Sequence, residues 1–258
     1  MKGRPLAGKG IVVTRPAHQS QAFARLIAEA GGRPLLHPAI EIRDIEDMER
    51  FARLIDRLDE FELAIFVSPN AVERAMGVIS ARRAFPRGLP VATVGSGSVR
   101  ALERFGITGV LAPHGRFDSE ALLELPALAA MTGRRVVIFR GAGGREHLGE
   151  SLRERGALVE YAECYRRVRP ELDARPLLHA WSRKEIDAVT ATSSEGLRNF
   201  AELIGLAGRE RLTGTPVFVP HPRIAEAAHG LGVRKVIVTG PGDEGMLTGL
   251  AAYFAGRR

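Results

Sequence analysis

A single cysteine, Cys164, stands among 258 residues, so the chain has neither a disulfide framework nor a thiolate cluster for zinc. Its apolar runs, such as Ile11-Val12-Val13 and Val136-Val137-Ile138-Phe139, have the length of strands and fall far short of a membrane span. Met1 to Gly10 is basic but lacks the apolar stretch and small-residue cleavage site of a signal peptide, and a cytoplasmic protein is the expectation. Seven histidines are scattered without H-x-x-x-H or H-E-x-x-H spacing, which leaves no metal motif. Aromatic residues reach only 6%, poor material for stacking nucleic-acid bases. Basic residues outnumber acidic ones, 37 to 30, but they come as scattered pairs (Arg82-Arg83, Arg134-Arg135, Arg166-Arg167, Arg257-Arg258) and never as a long run. A net charge of +7 would draw in a polyanion, whether nucleic acid or a small polycarboxylate, but plain surface solubility is the stronger explanation of the charge alone.

The chain does contain an internal repeat. Shifted by 125 positions, Ile11-Val12-Val13-Thr14-Arg15 falls on Val136-Val137-Ile138-Phe139-Arg140, and Gly31 falls on Gly156. Ser68-Pro69-Asn70-Ala71-Val72 meets Ser193-Ser194-Glu195-Gly196-Leu197, and Asp118 and Leu122 meet Asp243 and Leu247. Any βα unit has an apolar strand, a turn and a glycine after its helix, which accounts for one match but poorly for several at one offset. A duplication is the better explanation.

Each half reads as consecutive βα units. Ile11–Thr14 is an apolar, β-branched strand; Phe23, Leu26, Ile27 and Ala30 follow at helical spacing, and Gly31-Gly32 ends the helix. Strand Leu63–Val67 precedes helix positions Val72, Ala75, Met76 and Ile79, and strand Val91–Val94 precedes Val99, Leu102 and Phe105. The second half repeats this at Val136–Phe139, Ala188–Ala191 and Val217–Val219. Strands apolar on both faces belong in parallel sheets covered by helices, where ligands bind at the carboxyl ends of the strands. Arg15, Ser68, Gly95, Arg140, Ser193 and His221 fall at those ends. Two extended segments, Arg33–Arg43 and Val159–Pro170, occupy equivalent places in the repeat and read as edge strands or as connectors between two lobes. In the second, strict alternation sets Val159, Tyr161, Glu163 and Tyr165 on one face.

No single motif identifies a chemistry. Gly141-Ala142-Gly143-Gly144 opens a helix but matches neither G-x-G-x-x-G nor a Walker loop; an anion site and a plain tight turn both fit. Ser68 and Ser193 stand where helix caps belong, where a hydroxyl can equally hold a carboxylate. Neither has the G-x-S-x-G frame of a hydrolase.

Taken in order, however, Val12-Val13-Thr14-Arg15-Pro16, Phe66-Val67-Ser68-Pro69-Asn70-Ala71-Val72, Val94-Gly95 with Ser98, Arg140-Gly141 with Gly143-Gly144-Arg145-Glu146, Tyr165-Arg166-Arg167 and Thr192-Ser193-Ser194-Glu195-Gly196-Leu197 resemble the uroporphyrinogen-III synthase family along nearly the whole chain. The resemblance implies an α/β fold of two flavodoxin-like domains with parallel sheets, joined by a two-stranded β connector. It implies a discontinuous first domain of residues 1–35 plus 171–258, connector strands 36–44 and 159–170, and a second domain of 45–158. It further implies a cofactor-independent, cytoplasmic, monomeric lyase that needs no metal, nucleic acid or membrane. Its substrate would be the linear tetrapyrrole hydroxymethylbilane, closed with loss of water and inversion of ring D. Arg15, Ser68, Asn70, Ser98, Ser193 and Ser194, with Arg140 as a further member, would bind the substrate carboxylates between the domains. Tyr165 matches the family tyrosine that assists hydroxyl departure, a task suited to a phenol that stays protonated at neutral pH; packing of a connector strand is its alternative role. The family carries Gly-Pro-Thr-Thr-Ala after a late strand where this chain has His221-Pro222-Arg223-Ile224-Ala225, so Arg223 either supplies a charged contact in place of a hydroxyl or the contact is absent. A non-catalytic, two-lobed binding protein for a small polyanion is the alternative function.

Overall fold

A computed structural model describes residues 4–116 and 118–256; Met1, Lys2 and Gly3 at the start of the basic N-terminal segment, Phe117 and the terminal pair Arg257-Arg258 lie outside the described residues. The first elements are β1 (Gly10–Val13), α1 (Ala17–Glu29), β2 (Arg33–Leu36), β3 (Glu41–Arg43), α2 (Met48–Asp56), β4 (Leu63–Phe66) and α3 (Pro69–Arg82). There follow β5 (Val91–Thr93), α4 (Ser96–Arg104), α5 (Ser119–Leu123), β6 (Arg135–Gly141), α6 (His147–Glu154), β7 (Leu158–Val168) and α7 (Arg175–Ser182). The chain continues with β8 (Ala188–Thr190), α8 (Ser194–Leu203), α9 (Gly205–Gly214), β9 (Val217–Val219), α10 (Pro222–Gly230), β10 (Val236–Val238) and α11 (Gly242–Ala255).

These elements form two compact units, Met1–Glu41 with Val168–Arg258, and Ile42–Arg167. The first unit holds a sheet of order β10-β9-β8-β1-β2 and the second a sheet of order β3-β7-β6-β4-β5. Pairings of β1 with β2 and β8, of β9 with β8 and β10, and of β6 with β4 and β7 are all parallel. Beyond β5, Leu111 makes a parallel bridge to Ala92. Matched through the 125-residue offset, the two sheets run in the same order, with β7-β6-β4-β5-Leu111 corresponding to β2-β1-β8-β9-β10. Counted in chain order the first unit has the flavodoxin order, and the second has the same arrangement circularly permuted, with the switch point between β1 and β8 in one unit and between β6 and β4 in the other.

The alternation of side chains along each strand explains why these strands are apolar throughout. Ile11 and Val13 join Phe23 and Ile27 of α1 and Met246 and Leu250 of α11 on one face, while Val12 joins Leu197, Phe200 and Ile224 on the other. In the second unit Ile65 and Ile138 pack with Leu148 and Leu152 of α6, and Phe66 stacks on Phe139 at 4.5 Å on the opposite face. On α3, Val72, Ala75, Met76 and Ile79 are buried at helical spacing; truncating a side chain such as Ile79 to alanine would cost about 2–5 kcal/mol. Gly31 and Gly156, equivalent in the repeat, end α1 and α6 with φ of 87° and 88°, a left-handed turn that glycine adopts without strain.

The two extended segments become sheet strands. Residues 36–44 hold the last residue of β2 and all of β3, while 159–170 supply nearly all of the eleven-residue β7. The chain passes between units inside these segments, at Glu41/Ile42 and Arg167/Val168. Strict alternation along β7 fails at one point. Arg140 pairs with Glu163 but Gly141 pairs with Tyr165, so Cys164 is an extra residue and the side-chain parity reverses there. Tyr161 therefore lies against Gly149 of α6, whereas Tyr165 turns to Gly141 and Ser68.

Candidate functional site

In the second unit, β4 hands over to α3 through Ser68, whose extended backbone and side chain cap the helix: its Oγ accepts from the Ala71 N–H at 3.1 Å. Pro69 occupies the first helical turn, and half-buried Asn70 follows it. Tyr165 is wholly buried beside this cap. Its hydroxyl lies 3.1 Å from Ser68 Oγ and accepts at 3.1 Å from the Arg167 guanidinium, which also sits 5.5 Å from the ring centre.

Counting donors fixes the direction of these bonds. A guanidinium and a backbone N–H can only donate, so the phenol oxygen accepts from Arg167 and Ser68 Oγ accepts from Ala71. If Ser68 also donated to Tyr165, the phenol proton would be buried without an acceptor among the described residues, a loss of about 1–3 kcal/mol. The favourable arrangement sends the Tyr165 proton to Ser68 Oγ, which then accepts twice and keeps its own proton for an outside acceptor.

The start of α4 lies next to the start of α3: a Cβ on Gly97 would come within 3.3 Å of Pro69 Cγ. Here Ser98 is 1% exposed, and its buried hydroxyl has no hydrogen-bond partner among the described residues. Arg140 takes a different course from the one expected. Its side chain is 6% exposed, donates at 2.9 Å to both the Gly144 carbonyl and Glu146 Oε1, and lies 4.3 Å from the Tyr161 ring centre. It folds the Gly141–Glu146 loop over itself instead of offering its charge outward, and its hydrogen bond holds the Glu146 carboxyl below the usual range. Cys164 is inert: burial pushes its thiol up to about 12.

The first unit repeats the arrangement with different chemistry. Ser193 caps α8, accepting from Gly196 N–H at 3.0 Å, and Ser194 Oγ donates to the Arg223 carbonyl at 3.4 Å, tying α8 to α10. His221 caps α10, its Nδ1 accepting from Arg223 N–H at 3.1 Å. Between the two helix starts lies a cavity of about 590 Å³ whose polar lining includes Ser193, Ser194, Arg198 and Arg223 together with Glu195 and Glu226. Across the repeat, Ser193 corresponds to Ser68, Arg223 to Ser98 and Ile40 to Tyr165. Ile40 indeed sits at the Ser193 turn, since a Cβ on Gly196 would lie 3.0 Å from Ser193 Oγ and 3.4 Å from Ile40 Cδ1. Only the second unit backs its serine with a phenol. Arg15, at the end of β1, is 10% exposed, forms an ion pair with Asp243 and stacks at 4.7 Å on Phe23.

The sequence thus located Ser68, Ser98, Ser193, Ser194 and Arg223 at paired strand-end turns, while Arg15 and Arg140 are engaged by neighbouring acids. It missed Arg167 on the Tyr165 hydroxyl, Arg198 in the cavity and the Asp243 partner of Arg15. The repeat carried a signal for the last, since Asp243 matches Asp118.

Fold and site together define a class: an α/β protein of two flavodoxin-like units whose strand ends present hydroxyls, helix N-termini and arginines suited to a polyanion. Comparison with known proteins narrows it. The family model for uroporphyrinogen-III synthase HemD matches residues 21–248. The chain is 31% identical over 239 residues to uroporphyrinogen-III synthase of Escherichia coli (strain K12), covering 92% of this chain and 97% of that one. The synthase of Synechococcus elongatus is 29% identical, over 84% of each chain. Among solved structures, a mutant uroporphyrinogen III synthase from the extremely thermophilic bacterium Thermus thermophilus shares the fold with a TM-score of 0.64 at 20% identity, over 97% of this chain and 100% of that one. That of Helicobacter pylori 26695 shares it at 0.59 and 15% identity, with 97% and 100% coverage. The chain belongs to the uroporphyrinogen-III synthase family, enzymes of porphyrin biosynthesis. No helix among the described residues is long and apolar enough to cross a membrane.

Proposed function

We propose that this protein closes hydroxymethylbilane into uroporphyrinogen III with inversion of ring D, as a cofactor-independent lyase working as a cytoplasmic monomer. The observation that supports this best is the pair of equivalent serine-capped turns at Ser68 and Ser193, each beside the start of a second helix, with Ser98 buried at the first and Arg223 exposed at the second. Helix N-termini present backbone N–H groups and a positive dipole to anions, and the substrate carries eight carboxylates. Arg198 and Arg223 offer guanidinium donors on the cavity of the first unit, beside Glu195 and Glu226, and the net +7 favours encounter.

The reaction needs little beyond control of geometry. The hydroxymethyl C–O bond breaks, and the oxygen leaves with the electron pair. A new C–C bond forms to the terminal ring, and the proton released from that carbon balances the one that completes water. Because the substrate closes unaided to the uninverted isomer, the enzyme's contribution is to hold one conformation, and positioning of this kind is worth up to about 7–11 kcal/mol. Tyr165 assists departure of the hydroxyl. Incubation with freshly made hydroxymethylbilane, followed by separation of the uroporphyrin isomers, tests the proposal: isomer III is expected. Isomer I alone would leave a non-catalytic polyanion binder.

A further inference from the structure

Tyr165 has no exposed surface, so it cannot touch a substrate that stays outside the protein. Its hydroxyl is bracketed by Arg167 on one side and Ser68 on the other, both at 3.1 Å. Ser68 is half-buried, accepts from Ala71 and from the phenol, and retains a proton that no described residue accepts. The chain Arg167, Tyr165, Ser68 therefore has a defined direction, and each bond polarises the next, making the Ser68 proton a stronger donor than that of an isolated serine.

We infer that Ser68 is the catalytic residue that donates a hydrogen bond to the departing oxygen of the substrate, and that Tyr165 and Arg167 are positioning residues acting through it. The inference rests on the synthase reading above and reassigns the work within it. The first unit provides an internal comparison. Ser193 caps its helix in the same way but has Ile40 where Ser68 has Tyr165, so no phenol polarises it. Ser193 binds, and Ser68 both binds and activates. The contact is a hydrogen bond to an oxygen gaining negative charge as the C–O bond breaks, and serine keeps its proton; no oxidant, reductant or further reactant enters.

The test is the rate of isomer III formation by the full chain, with kcat and KM separated. Ser68→Thr keeps both cap and donor and should retain turnover within about threefold. Ser68→Gly keeps most of the capping while removing the donor, and should lower kcat about a hundredfold with a rise in KM no larger than that of Ser193→Gly; Ser68→Ala is a second deletion should the glycine variant fold poorly. Tyr165→Phe and Arg167→Gln should each lower kcat about tenfold, the worth of one hydrogen bond. The decisive variant is Ser68→Gly with Tyr165→Phe, which should be no slower than Ser68→Gly alone, because Tyr165 has no route to the substrate except through Ser68. Ser193→Gly should raise KM and leave kcat in place. Multiplied losses in the double variant would mean that Tyr165 meets the substrate itself, and parental turnover in Ser68→Gly would remove the donor; either overturns the inference. Isomer I alone from the parent protein would instead end the synthase reading, a separate result.

Discussion

Replacing Gly141 with alanine tests the placement of Tyr165 without touching any polar group. Gly141 ends β6 directly across from Tyr165 and needs no left-handed backbone, so space is the only obstacle. An alanine Cβ would lie 2.7 Å from Cε2 and Cζ of the ring and 3.1 Å from its hydroxyl oxygen. Carbon atoms in contact prefer about 3.5–4.0 Å, so the ring must retreat by about 1 Å. A fully buried ring has no free volume to retreat into, and overpacking of this kind costs about 1–3 kcal/mol. Such a shift also takes the hydroxyl beyond hydrogen-bonding reach of Ser68, from 3.1 Å, and a misplacement of about 1 Å near the chemistry can cost about a hundredfold in rate. Urea unfolding should show a lower midpoint at unchanged slope, and isomer III formation should slow together with it. Gly143→Ala is the control. With φ of 66° and nothing within 4 Å, it should lose about 1 kcal/mol through backbone strain while leaving turnover near the parent's. A Gly141→Ala variant with parental stability and turnover would refute the packing argument, and equal loss of turnover in both variants would attribute the effect to the loop instead of the ring.

Three further outcomes are expected. Arg223→Thr, which removes an outward charge from the first unit's cavity, should raise KM about tenfold with kcat nearly unchanged and weaken the salt dependence of KM; an unchanged KM would take Arg223 out of substrate binding. Burial pushes the His37 imidazole below its usual range, opposed by Asp173, so the unfolded chain binds the extra proton first. Stability should be fully present above about pH 6.5 and fall below it, by at most about 1.4 kcal/mol per pH unit, and His37→Phe should flatten that slope in urea melts run above and below about pH 6.5; an equal slope in both proteins would refute it. A fragment of residues 41–168 should fold cooperatively by circular dichroism, because it holds all five strands of the second sheet, whereas 1–125 and 126–258 should not.

Much of the fold could be read from apolar periodicity, because strands buried on both faces must be apolar at every position and helices must repeat their buried residues every three or four. Val12 and Val13 face opposite cores, yet both were identifiable as strand residues for that reason. The serine caps were legible because a hydroxyl before a helix has a definite local task. The orientation of Tyr165 was not, since alternation along β7 assigns it to the face of Tyr161 and a single extra residue, Cys164, reverses that assignment. Nothing in the local sequence announces a bulge whose cause is the pairing of Gly141 with Tyr165. Arg140 misled for a related reason: its position at a strand end was right, but the carbonyl of Gly144 and the carboxylate of Glu146 lie close enough to claim it.

The repeat itself leaves one question open that only long-range pairing answers. By local chemistry β1 could pair with either β4 or β8, since these strands are equivalent, and the same holds for β6. The structure pairs β1 with β8, where Thr14 Oγ donates to the Thr190 carbonyl at 2.9 Å and Thr190 Oγ to the Val12 carbonyl at 3.0 Å. Each unit thus draws two strands from one half of the duplication and three from the other. This exchange has a chemical consequence. Had each half folded on itself, Ser68 would have met Ile40, the repeat counterpart of Tyr165, and its hydroxyl would have had no phenol behind it. Ser68 and Tyr165 meet only because residues 97 apart in sequence, from different halves, share one sheet. The two copies of one serine-capped turn are therefore unlike: the first unit has a serine backed by isoleucine with arginines nearby, and the second has a directed chain of hydrogen bonds.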